Sequence, residues 1–223
     1  LSETCFSDYA LGLKEKSMAL SFRIALGKDN TVEECKIFKT SVNVKRLTYE
    51  EATKQKESSE LKPLFEIARK NEERRKKNGA TNIDMPEIHI TVDSETKKVS
   101  ISPLVRYEAD SMVREMMLLA GEGAAHFAMN NRIPFPYISQ EAPELPKKLP
   151  EGLAGEYRKR KAMRPRNVGT IPAMHSALGI AMYSQITSPL RRYGDLVAHQ
   201  QLLKFIDGNE VMKTDDLLMR IAA

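Results

Sequence analysis

The run Thr187-Ser188-Pro189-Leu190-Arg191-Arg192-Tyr193-Gly194-Asp195 carries the residue types in this chain best suited to phosphate chemistry. Thr187 and Ser188 are favoured helix caps and Pro189 suits a first helical position. Leu190, Tyr193, Leu196 and Val197 then recur at helical spacing, so a helix is expected to start here and run to about Ile206. Its first turn would offer free backbone N–H groups and the guanidinium groups of Arg191 and Arg192, a terminus and a fork that together can hold a phosphate. The macrodipole does not favour two cations in a first turn, which speaks against a purely structural pair. A plainer reading stands beside it: Arg192 precedes Asp195 by three residues and can simply pair with it.

The elements that must position this stretch read as an α+β arrangement, antiparallel hairpins followed by a mainly helical half. Ala19, Phe22, Ile24 and Leu26 fit a strand that ends at the turn Gly27-Lys28-Asp29-Asn30, and residues 33–44 fit its partner, after a connecting segment from Leu1 to Tyr9. Thr48 and Glu51 form a capping box for a short helix, and residues 61–77 form a second one. Ile88, Ile90 and Val92 alternate as a strand that turns at 93–96 into a partner beginning at Val99. Residues 111–129 make the strongest helix, with Met112, Val113, Met116, Met117 and Leu119 as packing rather than a cofactor box.

Charge is concentrated in two runs. Residues 69–77 hold six basic and two acidic side chains and read as a solvated helical face in preference to an RNA track. Residues 151–168 set Arg158, Lys159, Arg160, Lys161, Arg164 and Arg166 against Glu151 and Glu156, either a surface loop or a flank facing a polyanion. The whole chain of 223 residues is 41% hydrophobic, with net charge +5. No apolar run has the roughly 18 residues a membrane helix needs, and no signal peptide is visible. Cys5 and Cys35 fit no metal-ligand spacing and read as reduced thiols of an intracellular protein, cytoplasmic or in an organelle.

Residues 187–195, with His175, Gly179 and Tyr183 upstream, resemble the late signature of the ribonuclease II and ribonuclease R family of 3′-to-5′ exoribonucleases. Three other stretches carry the same resemblance. Residues 44–52 are similar to the family's Leu-Thr-Tyr segment, whose tyrosine touches RNA, which implies an RNA contact at Tyr49. Residues 112–120 are similar to its helix whose second glutamate contacts a ribose, which implies that role for Glu115. The two types suit the task, because a carboxylate accepts a hydrogen bond from a 2′-hydroxyl and a phenol can stack or donate. Residues 79–87 resemble Gly-Ala-x-Asp-Phe-Asp-x-Pro-Glu, whose phenylalanine stacks on the 3′-terminal base. That position is Ile83, preceded by Asn82, so the clamp is expected to be weaker, base–aromatic stacking being worth about 1–3 kcal/mol. Gly121 stands where the family usually has asparagine.

The resemblance implies that residues 1–223 are the C-terminal portion of one RNB-type catalytic barrel domain. The upstream metal-binding part and a downstream S1-like region would lie outside it. The start at Leu1 and a last helix without a cap agree with a piece of a longer protein. The intact enzyme would be a processive, single-strand-specific exoribonuclease releasing nucleoside 5′-monophosphates, with Mg²⁺ held by an aspartate cluster. Nothing in this chain replaces that cluster, since Asp215-Asp216 and Glu33-Glu34 are adjacent pairs without further acids at metal spacing. Arg191 would grip the reacting phosphate, and Arg192 either a neighbouring phosphate or Asp195. The partner would be single-stranded RNA, with no membrane. The alternative is a degenerate member serving as an RNA-binding or scaffold subunit, for which Asn82 and Ile83 speak and against which Arg191 speaks.

Overall fold

The computed structural model describes residues 3–4 and 9–222, so most of the expected connecting segment and Cys5 lie outside the described residues. β1 (Ser17–Leu26) and β2 (Val32–Val42) form the expected antiparallel hairpin, with Phe22 opposite Ile37 and Ile24 opposite Cys35. The connection works because Asn30 adopts φ 61° and the Asp29 carboxylate accepts from Thr31 N at 3.2 Å and Thr31 Oγ1 at 2.6 Å. The register shifts so that Leu26 pairs with Val32 and Ala25 with Glu34. Glu33 is therefore the extra residue of a bulge, which puts Val32 and Cys35, three apart in sequence, on one buried face with Ile37.

Thr48 caps α1 (Tyr49–Lys54), with Glu51 completing the capping box, and α2 spans Lys62–Lys77. β3 (Ile88–Val92) and β4 (Val99–Pro103) pair as expected. Ile88, Ile90, Val92, Val99 and Ile101 are all more than half exposed, and no described element covers them.

α3 (Glu108–Asn130) is the central element. Its residues Gly121, Gly123, Ala124, Ala125 and Ala128 are buried, and their small side chains let β1 and β2 approach the backbone closely. A Cβ at Gly123 would lie 3.0 Å from Ile24 Cδ1 and 3.1 Å from Cys35 Sγ. Ile133, Phe135, Tyr137, Ile186, Ala198 and Leu202 complete this core. Burial raises the Cys35 thiol to about 11, so it packs as a small apolar group rather than a nucleophile.

The second half is less purely helical than its sequence suggests. β5 (Tyr137–Gln140) pairs antiparallel with β6 (Arg166–Gly169), with α4 (Leu153–Ala162) between them in the chain. The six described strands form three separate two-stranded sheets. α5 (Tyr193–Ile206) and α6 (Thr214–Ala222) follow.

Candidate nucleic-acid interface

The helix expected from Pro189 begins four residues later, at Tyr193, with Arg192 as its N-cap. Asp195 is the reason. Its carboxylate, 1% exposed, accepts from Ser188 N at 2.8 Å and from Arg192 Nε at 3.0 Å and Nη2 at 2.6 Å. Arg192 Nη2 also donates to Thr187 Oγ1 at 3.1 Å. These bonds draw residues 187–191 into a turn closed by Arg191 N and Arg192 N on Ser188 O, at 3.2 and 2.9 Å. Ser188 and Thr187 consequently do not cap a helix, and Arg191 and Arg192 do not share a first helical turn.

The two arginines are thereby separated in role. Arg192 makes the Asp195 pair, so the structure takes the plainer of its two readings. Arg191 is exposed, and its guanidinium has no hydrogen-bond or ion-pair partner among the described residues. With Thr187 to Leu190 it lines a cavity of about 880 Å³ whose wall includes Met18, Leu20 and Phe22 of β1, Ala120 of α3, His199, and Lys39 of β2, which is paired with Asp207 at 2.5 Å. His199 Nε2 lies 2.6 Å from Ile186 O, and burial pushes its imidazole below its ordinary range. The wall is largely apolar and Arg191 supplies its free cation, which suits an anionic group with apolar flanks.

Glu115 occupies different surroundings. It is 1% exposed, and its carboxylate accepts from Arg75 Nη2 at 2.5 Å, Arg75 Nε at 2.9 Å, Asn71 Nδ2 at 2.9 Å and Arg114 Nε at 3.3 Å. One helical heptad on, Glu122 pairs with Arg74 through Nη1 at 2.9 Å and Nη2 at 2.5 Å. The run 69–77 is therefore not a solvated face throughout: Arg69, Lys70, Lys76 and Lys77 are exposed, but Arg74 and Arg75 turn inward onto α3. The four donors occupy most of the acceptor capacity that a 2′-hydroxyl would need. Glu115 lines a second cavity, of about 410 Å³, with Lys56, Phe65, Arg69 and Ser111.

Arg75 also reaches the signature. Its Nη1 donates to Leu178 O at 2.8 Å, Ala80 N donates to Arg75 O at 2.9 Å, and Thr81 N to Ala177 O at 3.0 Å. Gly179 has φ 65°, and a Cβ there would lie 2.3 Å from Arg75 O, so glycine alone fits. Tyr183 lies close enough to both ion pairs to feel the charges of Arg75, Arg192 and Asp195, and its burial raises its phenol pKa. Its ring covers Gly121, where a Cβ would meet Tyr183 Cε2 at 2.3 Å and Ser184 O at 2.5 Å. Position 121 is small in this chain because Tyr183 fills the space.

Tyr49 is 48% exposed at the first position of α1. Ile83 is half-buried in the irregular stretch 79–87, which is held by Arg106 on Asp84 and Glu87, at 3.0 and 2.9 Å, and by Asp84 N on Glu156 at 2.8 Å. Neither residue lines the two cavities. Sequence reasoning missed Asn71, Arg74, Arg75 and Glu122. The available signal was the seven-residue spacing of Glu115 and Glu122, which puts two acids on one face of α3. Among the described residues no group of three or more His, Cys, Asp or Glu side chains could hold a metal ion, so these residues do not fit Mg²⁺. No described helix is long and apolar enough to cross a membrane.

The RNB domain model matches residues 1–151 and 154–208. An uncharacterized ribonuclease of Synechocystis sp. is 37% identical over 205 residues, covering 87% of this chain and 31% of that protein. The chloroplastic/mitochondrial ribonuclease II of Arabidopsis thaliana is 33% identical over 211 residues, covering 88% of this chain and 26% of that protein. Ribonuclease R of Mycoplasma genitalium, solved in complex with ribose-methylated single-stranded RNA, superimposes with a TM-score of 0.70 over 92% of this chain and 40% of that one, at 21% identity. The chain thus spans about a third or less of the length of these curated relatives. The family model over most of the chain, together with these relatives, makes this chain a member of the RNB domain family.

Proposed function

We propose that the intact protein is a processive 3′-to-5′ exoribonuclease that releases nucleoside 5′-monophosphates from single-stranded RNA, and that this chain, the C-terminal portion of its catalytic barrel domain, binds and orients the strand. The observation that carries the reading is the free guanidinium of Arg191 on a turn held by the Arg192–Asp195 pair. A planar fork placed in this way holds a phosphate by two hydrogen bonds, whereas an ammonium would keep the charge and lose the geometry. Arg192 keeps the turn in shape. The Mg²⁺ that such hydrolysis uses would activate water and stabilise the leaving oxygen. The part of this chain is to grip and align.

Ribose selection is assigned to Tyr49, exposed at the start of α1, and to Glu115. The longest of the four contacts to Glu115, from the half-exposed Arg114, is the one a 2′-hydroxyl would replace. Ile83 contacts the terminal base by its alkyl surface alone, so short products are held weakly.

The test is the intact protein in Mg²⁺ with single-stranded RNA labelled at either end. Stepwise release of nucleoside 5′-monophosphates from the 3′ end is expected, with a matched DNA strand degraded far more slowly. Tyr49→Ala should narrow that RNA–DNA gap, and Ile83→Phe should shorten the limit product. RNA binding without any monophosphate release would instead favour the degenerate, RNA-binding alternative that Asn82 and Ile83 suggest.

A further inference from the structure

We propose that the outward face of α4 binds the backbone of single-stranded RNA approaching the Arg191 turn; the proposal deepens the reading above and rests on it.

α4 is not held in place by apolar burial. Gly155 is its buried residue, so close to the preceding segment that a Cβ would lie 2.0 Å from Pro150 O. The rest of its inward side is Ala162 and the pair Glu156–Lys159, at 2.7 Å. Glu156 is therefore spent on Lys159 and on Asp84 N, and no carboxylate of the helix faces outward. At 3.6 residues per turn the opposite side presents Tyr157, 58% exposed, flanked by Arg160 and Lys161 with Arg158 beyond. None of these three exposed cations has a carboxylate partner among the described residues. Arg160 makes only a long contact, 4.0 Å, to Met85 Sδ.

An aromatic ring set among unpaired cations is the combination that binds single-stranded nucleic acid, the cations along the phosphates and the ring under a base. A lipid surface would require a continuous apolar stripe, and this face offers Leu153 and Tyr157 alone. The location agrees. The Asp84–Glu156 bond ties the start of α4 to the residue after Ile83. At the other end of the basic run, Arg166 Nη1 donates to Gln185 Oε1 at 2.8 Å, two residues before Thr187. The run thus extends from the Ile83 stretch to the base of the Arg191 turn.

The experiment compares the intact protein with the triple variant Arg158→Ala, Arg160→Ala, Lys161→Ala, and with Tyr157→Ala and Tyr157→Phe. Binding is measured across salt for RNA strands of roughly 20 and roughly 5 nucleotides. For the long strand the triple variant should lower affinity and make the logarithmic salt slope shallower by about two. Tyr157→Ala should weaken the long strand about fivefold or more, with Tyr157→Phe near the parent. Affinity for the short strand, and monophosphate release from it, should not change. A long strand bound with unchanged affinity and slope overturns the inference, as does a triple variant that loses only phosphatidylserine vesicles or only an acidic peptide. Normal monophosphate release with an unchanged slope removes this inference alone. Loss of long-strand binding in a protein that releases nothing supports the α4 surface and removes the nuclease reading.

Discussion

Arg74–Arg75 and Arg191–Arg192 are both neighbouring arginine pairs, and the fold uses them differently. On α2 both members are consumed: Arg74 by Glu122 and Arg75 by Glu115, all four side chains less than a tenth exposed. In the signature turn one member is consumed by Asp195, and the other is left in solvent beside a cavity. A cation whose partner is built into the chain is structural. A cation that the same chain holds in place and leaves unpaired is available to a ligand. The contrast is what supports the phosphate grip proposed for Arg191.

The comparison can be broken first at Arg75. Arg75→Ala leaves the Glu115 carboxylate buried with Asn71 and the long Arg114 contact, and removes the link to Leu178. Stability should fall by about 3–5 kcal/mol, read from the midpoint of chemical unfolding of the intact protein. Removing Glu115 together with Arg75, as Arg75→Met with Glu115→Leu, should recover most of that loss, because the cost lies in the orphaned charge. A small effect of Arg75→Ala alone would mean that the α2–α3 pairs are open to water.

Gly121→Ala comes next. The added methyl must displace the Tyr183 ring, which lies between the two clusters, so a loss of about 1–3 kcal/mol is expected. Monophosphate release should fall with it as the Asp195 turn shifts. Full stability with full activity would show that the ring moves aside freely.

Arg192→Ala should cost about 1–3 kcal/mol, since Asp195 keeps only the Ser188 N–H. Arg192→Lys should recover a small part of this, because Nζ cannot reproduce the contacts of Nε and Nη2 to Asp195 and of Nη2 to Thr187 at once. Complete recovery by lysine would make the pair a simple charge contact.

The elements legible in the sequence were those whose causes are local. The Thr48–Glu51 box, the Asp29–Asn30 turn and the period of α3 each lie within a few residues of what they determine. The buried arginines were not legible, because their partners are 40 or more residues away in the chain and a charge run of six cations looks the same whether two of them are buried or none. The same holds for the start of α5. Thr187, Ser188 and Pro189 satisfy every local rule for a helix start, and a buried carboxylate seven residues after Ser188 overrides them. Alternation identified both hairpins, but not that β1–β2 packs on Gly123 while every residue of β3–β4 stays exposed. Among the candidate site residues, Arg191 and Tyr49 are exposed as a ligand contact requires, whereas Glu115 is engaged by four donors.

The most direct measurement pairs folding and turnover in one variant, Arg191→Ala of the intact protein, with Arg191→Lys beside it. The Arg191 guanidinium has no partner to lose among the described residues, so unfolding should move by no more than about 0.5 kcal/mol for either variant. Monophosphate release should nevertheless collapse in both, with RNA affinity reduced far less than turnover in the lysine variant. A destabilised Arg191→Ala protein, or one that folds normally and still turns over as the parent does, would contradict the assignment of Arg191 as the phosphate-gripping residue.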